Sequence, residues 1–200
     1  MSRHNSSACL QKLGNALMYV GAFPGRYGSA LIFLLMLLVV FAVVGAQFSL
    51  SELLRWEREI PLFGKHLNMT SLAELQWHVF SLLVMLAAAY ALQKDRHIRV
   101  DVLSEHFTFR TRLWIDILGD LFFLLPFFSF LAWYSLGFVQ SSYNFGEQSN
   151  AGGLVDRYLV KAVLPVGSVL MLITGLGRII RNVGILLSPR GTTKNNGEKQ

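Results

Sequence analysis

Gln93-Lys94-Asp95-Arg96-His97-Ile98-Arg99-Val100-Asp101-Val102-Leu103 is the most charged stretch of the chain, and it separates two of its most apolar regions. Val79 to Leu92 precedes it with Ser81 as its one clearly polar residue, and Leu121 to Val139 follows it without a charge. A charged strip between two apolar runs of that kind is a loop at a membrane surface, and it predicts an all-α integral membrane protein. From His97 to Val102 the pattern alternates, with His97, Arg99 and Asp101 on one side and Ile98, Val100 and Val102 on the other. Such alternation suits an extended segment with one polar and one dry edge. Long basic side chains that snorkel to the interface would account for the loop without any further role.

Composition agrees with that reading. Hydrophobic residues make up 53 % of the 200 and charged residues only 15 %, against about a quarter charged in ordinary soluble domains. The apolar residues are gathered into blocks. About 20 residues at ~1.5 Å each cross the ~30 Å hydrocarbon layer. Four transmembrane helices are therefore expected, over about 29–50, 72–93, 113–139 and 160–187, in a single membrane domain with a polar, disordered tail at 188–200. The net charge of +6 does not point to nucleic acid, because the basic residues flank apolar blocks and form no separate basic face. Cys9 is the single cysteine, so no intrachain disulfide and no thiolate metal cluster is expected. Flanking Lys and Arg divide thirteen to five between the two sides, which predicts that both termini and the 94–112 loop are cytoplasmic.

Several local features carry expectations of their own. Leu10, Leu13, Leu17 and Val20 recur three or four apart and suggest a short interfacial helix or a frayed lead-in. Ala30 to Ala46 has no polar side chain; Val44-Gly45-Ala46 faintly resembles a cleavage site, yet the block exceeds the ~7–15 residues of a signal-peptide core, so it predicts an uncleaved anchor. In residues 51–60, Glu52, Arg55 and Glu59 share one helical face, which suggests a surface helix broken by Pro61 and Gly64.

Glu74 and His78 share a face at the start of the second span. Arg112, Asp116 and Asp120 run down the first two turns of the third, where Pro126 should bend the helix. Asp120 is the deepest carboxylate and needs a protein partner or water. Gly167, Ser168, Thr174 and Gly175 form a seam for close helix approach, as do Ala87 and Ala91.

Three functional classes can be weighed on these residues. Catalysis lacks a set: Ser81, Ser129 and Ser168 have no histidine at comparable depth, and the five histidines make no HExxH spacing. A haem- or quinone-binding redox anchor is the alternative reading, but bis-His ligation needs two imidazoles at one depth, and only His78 falls within a span. No cofactor and no metal site is therefore expected. Transport remains, though four helices without an internal repeat are small for a carrier, so the chain reads as a helper of a larger membrane protein.

Ala91 to Leu103 resembles a signature of the small membrane subunit, DctQ type, of the tripartite ATP-independent periplasmic (TRAP) transporters. Glu74-Leu75-Gln76-Trp77-His78-Val79-Phe80 is similar to the opening of that family's second helix, and Arg112-Leu113-Trp114-Ile115-Asp116 with Leu124-Leu125-Pro126-Phe127 is similar to its third. Glu147-x-Ser149, Gly152-Gly153-Leu154 and Lys161 to Pro165 resemble its last loop and fourth helix, so the likeness covers roughly 73–177. The resemblance implies a bacterial inner-membrane protein in a sodium-coupled importer of organic acids or related anions. It implies two protein partners, a large permease subunit and a periplasmic solute-binding protein, beside membrane lipid. His97, Arg99 and Asp101, with Glu74, Trp77, Asp116 and Asp120, are then expected to be structural or partner-contact residues and not a solute site.

Overall fold

A computed structural model describes residues 2–94 and 107–188, with side chains from residue 6 onward. The loop that holds His97, Arg99 and Asp101, and the tail from 189, lie outside the described residues. The chain runs through α1 (Ser2–Ala22), a 3-10 turn at Pro24–Tyr27, α2 (Gly28–Gln47), β1 (Glu52–Ile60), β2 (Gly64–Asn68) and α3 (Met69–Gln93). It continues through α4 (Phe109–Gly119), a π-helical segment at Asp120–Leu124, α5 (Leu125–Asn144), the one-turn α6 (Tyr158–Lys161) and α7 (Val163–Leu187). Among the described residues four helices are long and apolar enough to cross a membrane: Pro24–Gln47, Met69–Gln93, Phe109–Asn144 and Tyr158–Leu187. The protein is an all-α membrane protein, with one small two-stranded sheet among the described residues.

The spans pack as a row: α2 lies on α3, α3 on α7, and α7 on α5. Within the four apolar windows 6–33 % of residues are buried; the outer helices α2 and α5 are mostly exposed, whereas α3 and α7 between them are mostly half-buried or buried. Small residues set the close contacts. A Cβ on Gly167 would meet Met85 of α3 at 2.7 Å, and one on Gly175 would meet Leu124 at 2.5 Å. Gln76 reaches across from α3 to the Leu38 carbonyl of α2 at 3.2 Å, a polar tie of the kind that joins helices where water is absent. Asn68 caps α3 by accepting the Ser71 amide at 2.7 Å, a contact worth about 1 kcal/mol.

Helix α1 is longer than the interfacial helix suggested by its leucines, and it does not stand alone. It runs antiparallel along the second half of α7 and also reaches α3. Gly14 sits on Gly177 and Arg181, and Gly21 on Leu170 and Thr174, each so close that an added Cβ would meet backbone within 3 Å. Met18 and Ala22 are buried in the same seam.

The segment 51–60 is a strand and not the surface helix its face pattern suggests. Pro61 to Gly64 reverses the chain, with Leu62 at φ 74° and Gly64 at φ 64°, and β1 then pairs antiparallel with β2, Glu52 opposite Asn68 and Arg55 opposite His66. Trp56 Nε1 donates to the Gly64 carbonyl at 2.7 Å. The hairpin is fixed by contacts distant in sequence: the Val155 amide donates to the Leu62 carbonyl at 2.9 Å, and Asn68 Nδ2 to the Gly152 carbonyl at 2.7 Å. Those bonds anchor Leu62 in the turn and Asn68 at the end of β2, and the ladder to β2 then holds 52–60 extended against its local preference.

In the third span the α-helix widens into a π turn just ahead of Pro126. Proline has no amide to donate and its ring presses on the carbonyl four residues back. A π turn relieves both within a continuous helix.

Candidate functional site

Charged side chains gather at the two ends of the row. Between them 28–47, 79–93, 121–146 and 162–177 carry no Asp, Glu, Lys or Arg. At the hairpin end the loop 145–157 folds back over α3 and is held by two carboxylates.

Glu74, on the second turn of α3, accepts the Ser149 hydroxyl at 2.5 Å through Oε1 and the Leu154 amide at 2.8 Å through Oε2. Arg157 Nη2 stands 3.7 Å from Oε1. Gly153 lies against the same carboxylate, and a Cβ there would come within 2.5 Å of Oε2. Only glycine allows that approach. The loop closes on itself through Ser149 N to Leu154 O at 3.0 Å and Arg157 N to Glu147 O at 3.2 Å.

Glu147 accepts from Ser142 Oγ at 2.8 Å and forms an ion pair with Lys161, whose ammonium lies 4.0 Å over the Phe138 ring. The Lys161 hydrogen bond, then the Ser142 hydroxyl, holds the Glu147 carboxyl below its ordinary pKa. With its folded-state pKa lowered, this pair is complete above the usual carboxylate range and is lost as pH falls through the lowered value. Hydrogen exchange at the Glu147 and Arg157 amides, corrected for intrinsic rate, should lose its protection at a lower pH than ordinary carboxylate titration. In Lys161→Met that midpoint should move up.

His78, one turn after Glu74, does not meet the Glu74 carboxylate. Its Nδ1 donates to the Glu74 main-chain carbonyl at 2.7 Å, while Nε2 is buried with no hydrogen-bond partner among the described residues. Trp77 is 69 % exposed and stands edge-on to Phe80 at 6.3 Å.

At the opposite end Asp120 opens the π segment and is 2 % exposed. Arg178 of α7 clamps it in a fork: Nε donates to Oδ2 at 2.6 Å, and Nη2 closes on Oδ1. Asp116, one turn earlier, is half-buried. One turn beyond Arg178, the fully buried Asn182 takes Arg181 on its Oδ1. The structure thus separates the expected residues: Glu74 and Trp77 belong to the hairpin end, Asp116 and Asp120 to the other.

Sequence reasoning marked Asp120 but not Arg178, 58 residues away. It marked Glu74 but had no means of joining it to Ser149 and Leu154. Among the described residues no group of three His, Cys, Asp or Glu could hold a metal ion.

A row of apolar helices with ion pairs at both ends and its outer helices exposed defines a polytopic helical membrane protein. The sequence profile of the DctQ component of tripartite ATP-independent periplasmic transporters matches residues 35–184. The chain belongs to that family, as a small permease subunit of a TRAP transporter. No curated protein and no solved structure matches it. Helix α1 lies outside the matched residues.

Proposed function

We propose that this chain enlarges the fixed scaffold of a sodium-coupled importer in the bacterial inner membrane, with a large permease subunit as its lateral partner. A periplasmic solute-binding protein delivers an organic acid or related anion to that pair. The observation that carries the reading is the broad exposed surface of the row's outer helices, α2 and α5. Helices in lipid gain their stability from packing and interhelical hydrogen bonds, and this row leaves broad faces for a partner to pack on. In this reading the hairpin and the loop 145–157 are periplasmic and both termini cytoplasmic, as the thirteen-to-five division of Lys and Arg supports. His97, Arg99 and Asp101 then act as a clasp at the cytoplasmic surface, and Trp77 as an interfacial contact.

Extraction in mild detergent from its own host should recover the chain together with one large multi-span permease. Recovery of the chain alone from such membranes would end the scaffold reading. Cytoplasm-only reporters fused after Gln200 should be active and those placed near Asn68 silent. A periplasmic reporter active at Gln200 would overturn the orientation.

A further inference from the structure

Beside the loop clasp lies a shallow cavity of about 360 Å³, lined by Trp77, His78, Glu147, Arg157, Val160 and Lys161. We infer that it seats the headgroup of one zwitterionic, amine-bearing phospholipid from the leaflet at the hairpin end of the protein.

Two observations converge on it. The first is depth. The cavity stands where the charge-free stretches of the spans begin, and its rim residue Trp77 is 69 % exposed, as side chains of the interfacial aromatic belt are. From Trp77 the exposed Phe80 and Val84 continue down the same side of α3. They offer an apolar track for an acyl chain.

The second is charge. Arg157 and Lys161 are already matched by Glu74 and Glu147. A free carboxylate or phosphate would leave this group with excess negative charge near low-dielectric surroundings, where unbalanced charge is costly. A ligand carrying both an anion and a cation does not: its phosphate meets Arg157 and Lys161, and its ammonium meets Glu147.

The test uses the full chain in nanodiscs of mixed phosphatidylethanolamine and phosphatidylglycerol, re-extracted in mild detergent, with retained lipid counted by native mass spectrometry. One phosphatidylethanolamine per chain is expected, enriched about tenfold over phosphatidylglycerol relative to the bulk mixture, a difference of ~1.4 kcal/mol. Val160→Trp, which fills the cavity and leaves all four charges, should abolish the retention. Glu147→Gln, which removes the carboxylate that meets the ammonium, should erase the headgroup preference. Millimolar inorganic phosphate or acetate should displace nothing.

Three results would overturn the assignment: preference for phosphatidylglycerol, undiminished retention in Val160→Trp, or displacement by the free anions, which marks a soluble-anion site instead. The headgroup competition on the unaltered chain decides the matter even where a variant fails to fold.

Discussion

Arg178→Ala should unfold this protein more readily than any other single substitution at its charged ends. The change strips both donors from Asp120, a carboxylate 2 % exposed that Arg178 grips through two nitrogens. Truncating one partner of a buried pair typically costs about 3–5 kcal/mol, because the remaining charge is stranded. Thermal unfolding of the purified chain in detergent should therefore show a large fall in midpoint, and Asp120→Ala should show one too. Removing both together should recover much of the loss, since no stranded charge then remains. Were Arg178→Ala to melt within about 1 kcal/mol of the unaltered protein, the range of exposed ion pairs, Asp120 would have to be neutralised by something other than this fork.

Glu74→Ala should release the loop over the hairpin end. The carboxylate satisfies the Ser149 hydroxyl and the Leu154 amide, and each bond to a charged acceptor is worth about 1.5–3 kcal/mol. Arg157, a third exposed and 3.7 Å away, adds little. The combined loss of ~3–6 kcal/mol leaves the loop on the hairpin only its weaker bonds to Leu62, His66 and Asn68. Trypsin should then cut after Arg157 in folded protein, where the unaltered chain resists. Glu74→Gln should fall between the two, because its amide oxygen still accepts one donor. A loop equally resistant in Glu74→Ala would show that the hairpin and the Glu147–Lys161 pair fix it without Glu74.

The apolar blocks made the four spans legible because hydropathy over 20 residues is a local quantity, and the π turn's neighbour Pro126 announced its own disturbance. The hairpin was not legible. Glu52 to Ile60 has a passable helical face, and what makes it a strand is its ladder with β2, a hairpin anchored through Leu62 and Asn68 to Val155 and Gly152, far along the chain.

The clasps were half legible for the same reason. An embedded Asp120 declares that it needs a counter-charge, yet nothing near it names Arg178. Likewise the leucines of α1 suggested a surface helix, whereas Gly14 and Gly21 press it against the glycines and small residues of α7. The loop from Asp95 to His106 decided the fold class from sequence, and its charged edge lies outside the described residues.

The order of the row has a consequence for how the protein is made. Spans α2 and α3 are neighbours both in the chain and in space, so they can pair as they leave the ribosome. The third span cannot, because its neighbour α7 is synthesised last. Asp120 and Arg178 are 58 residues apart, and at ~5–20 residues per second the carboxylate waits about 3–12 s for its arginine. During that interval the third helix has to keep its first turns at the aqueous boundary or against the insertion machinery. Its final depth in the bilayer is fixed only when the fourth helix arrives.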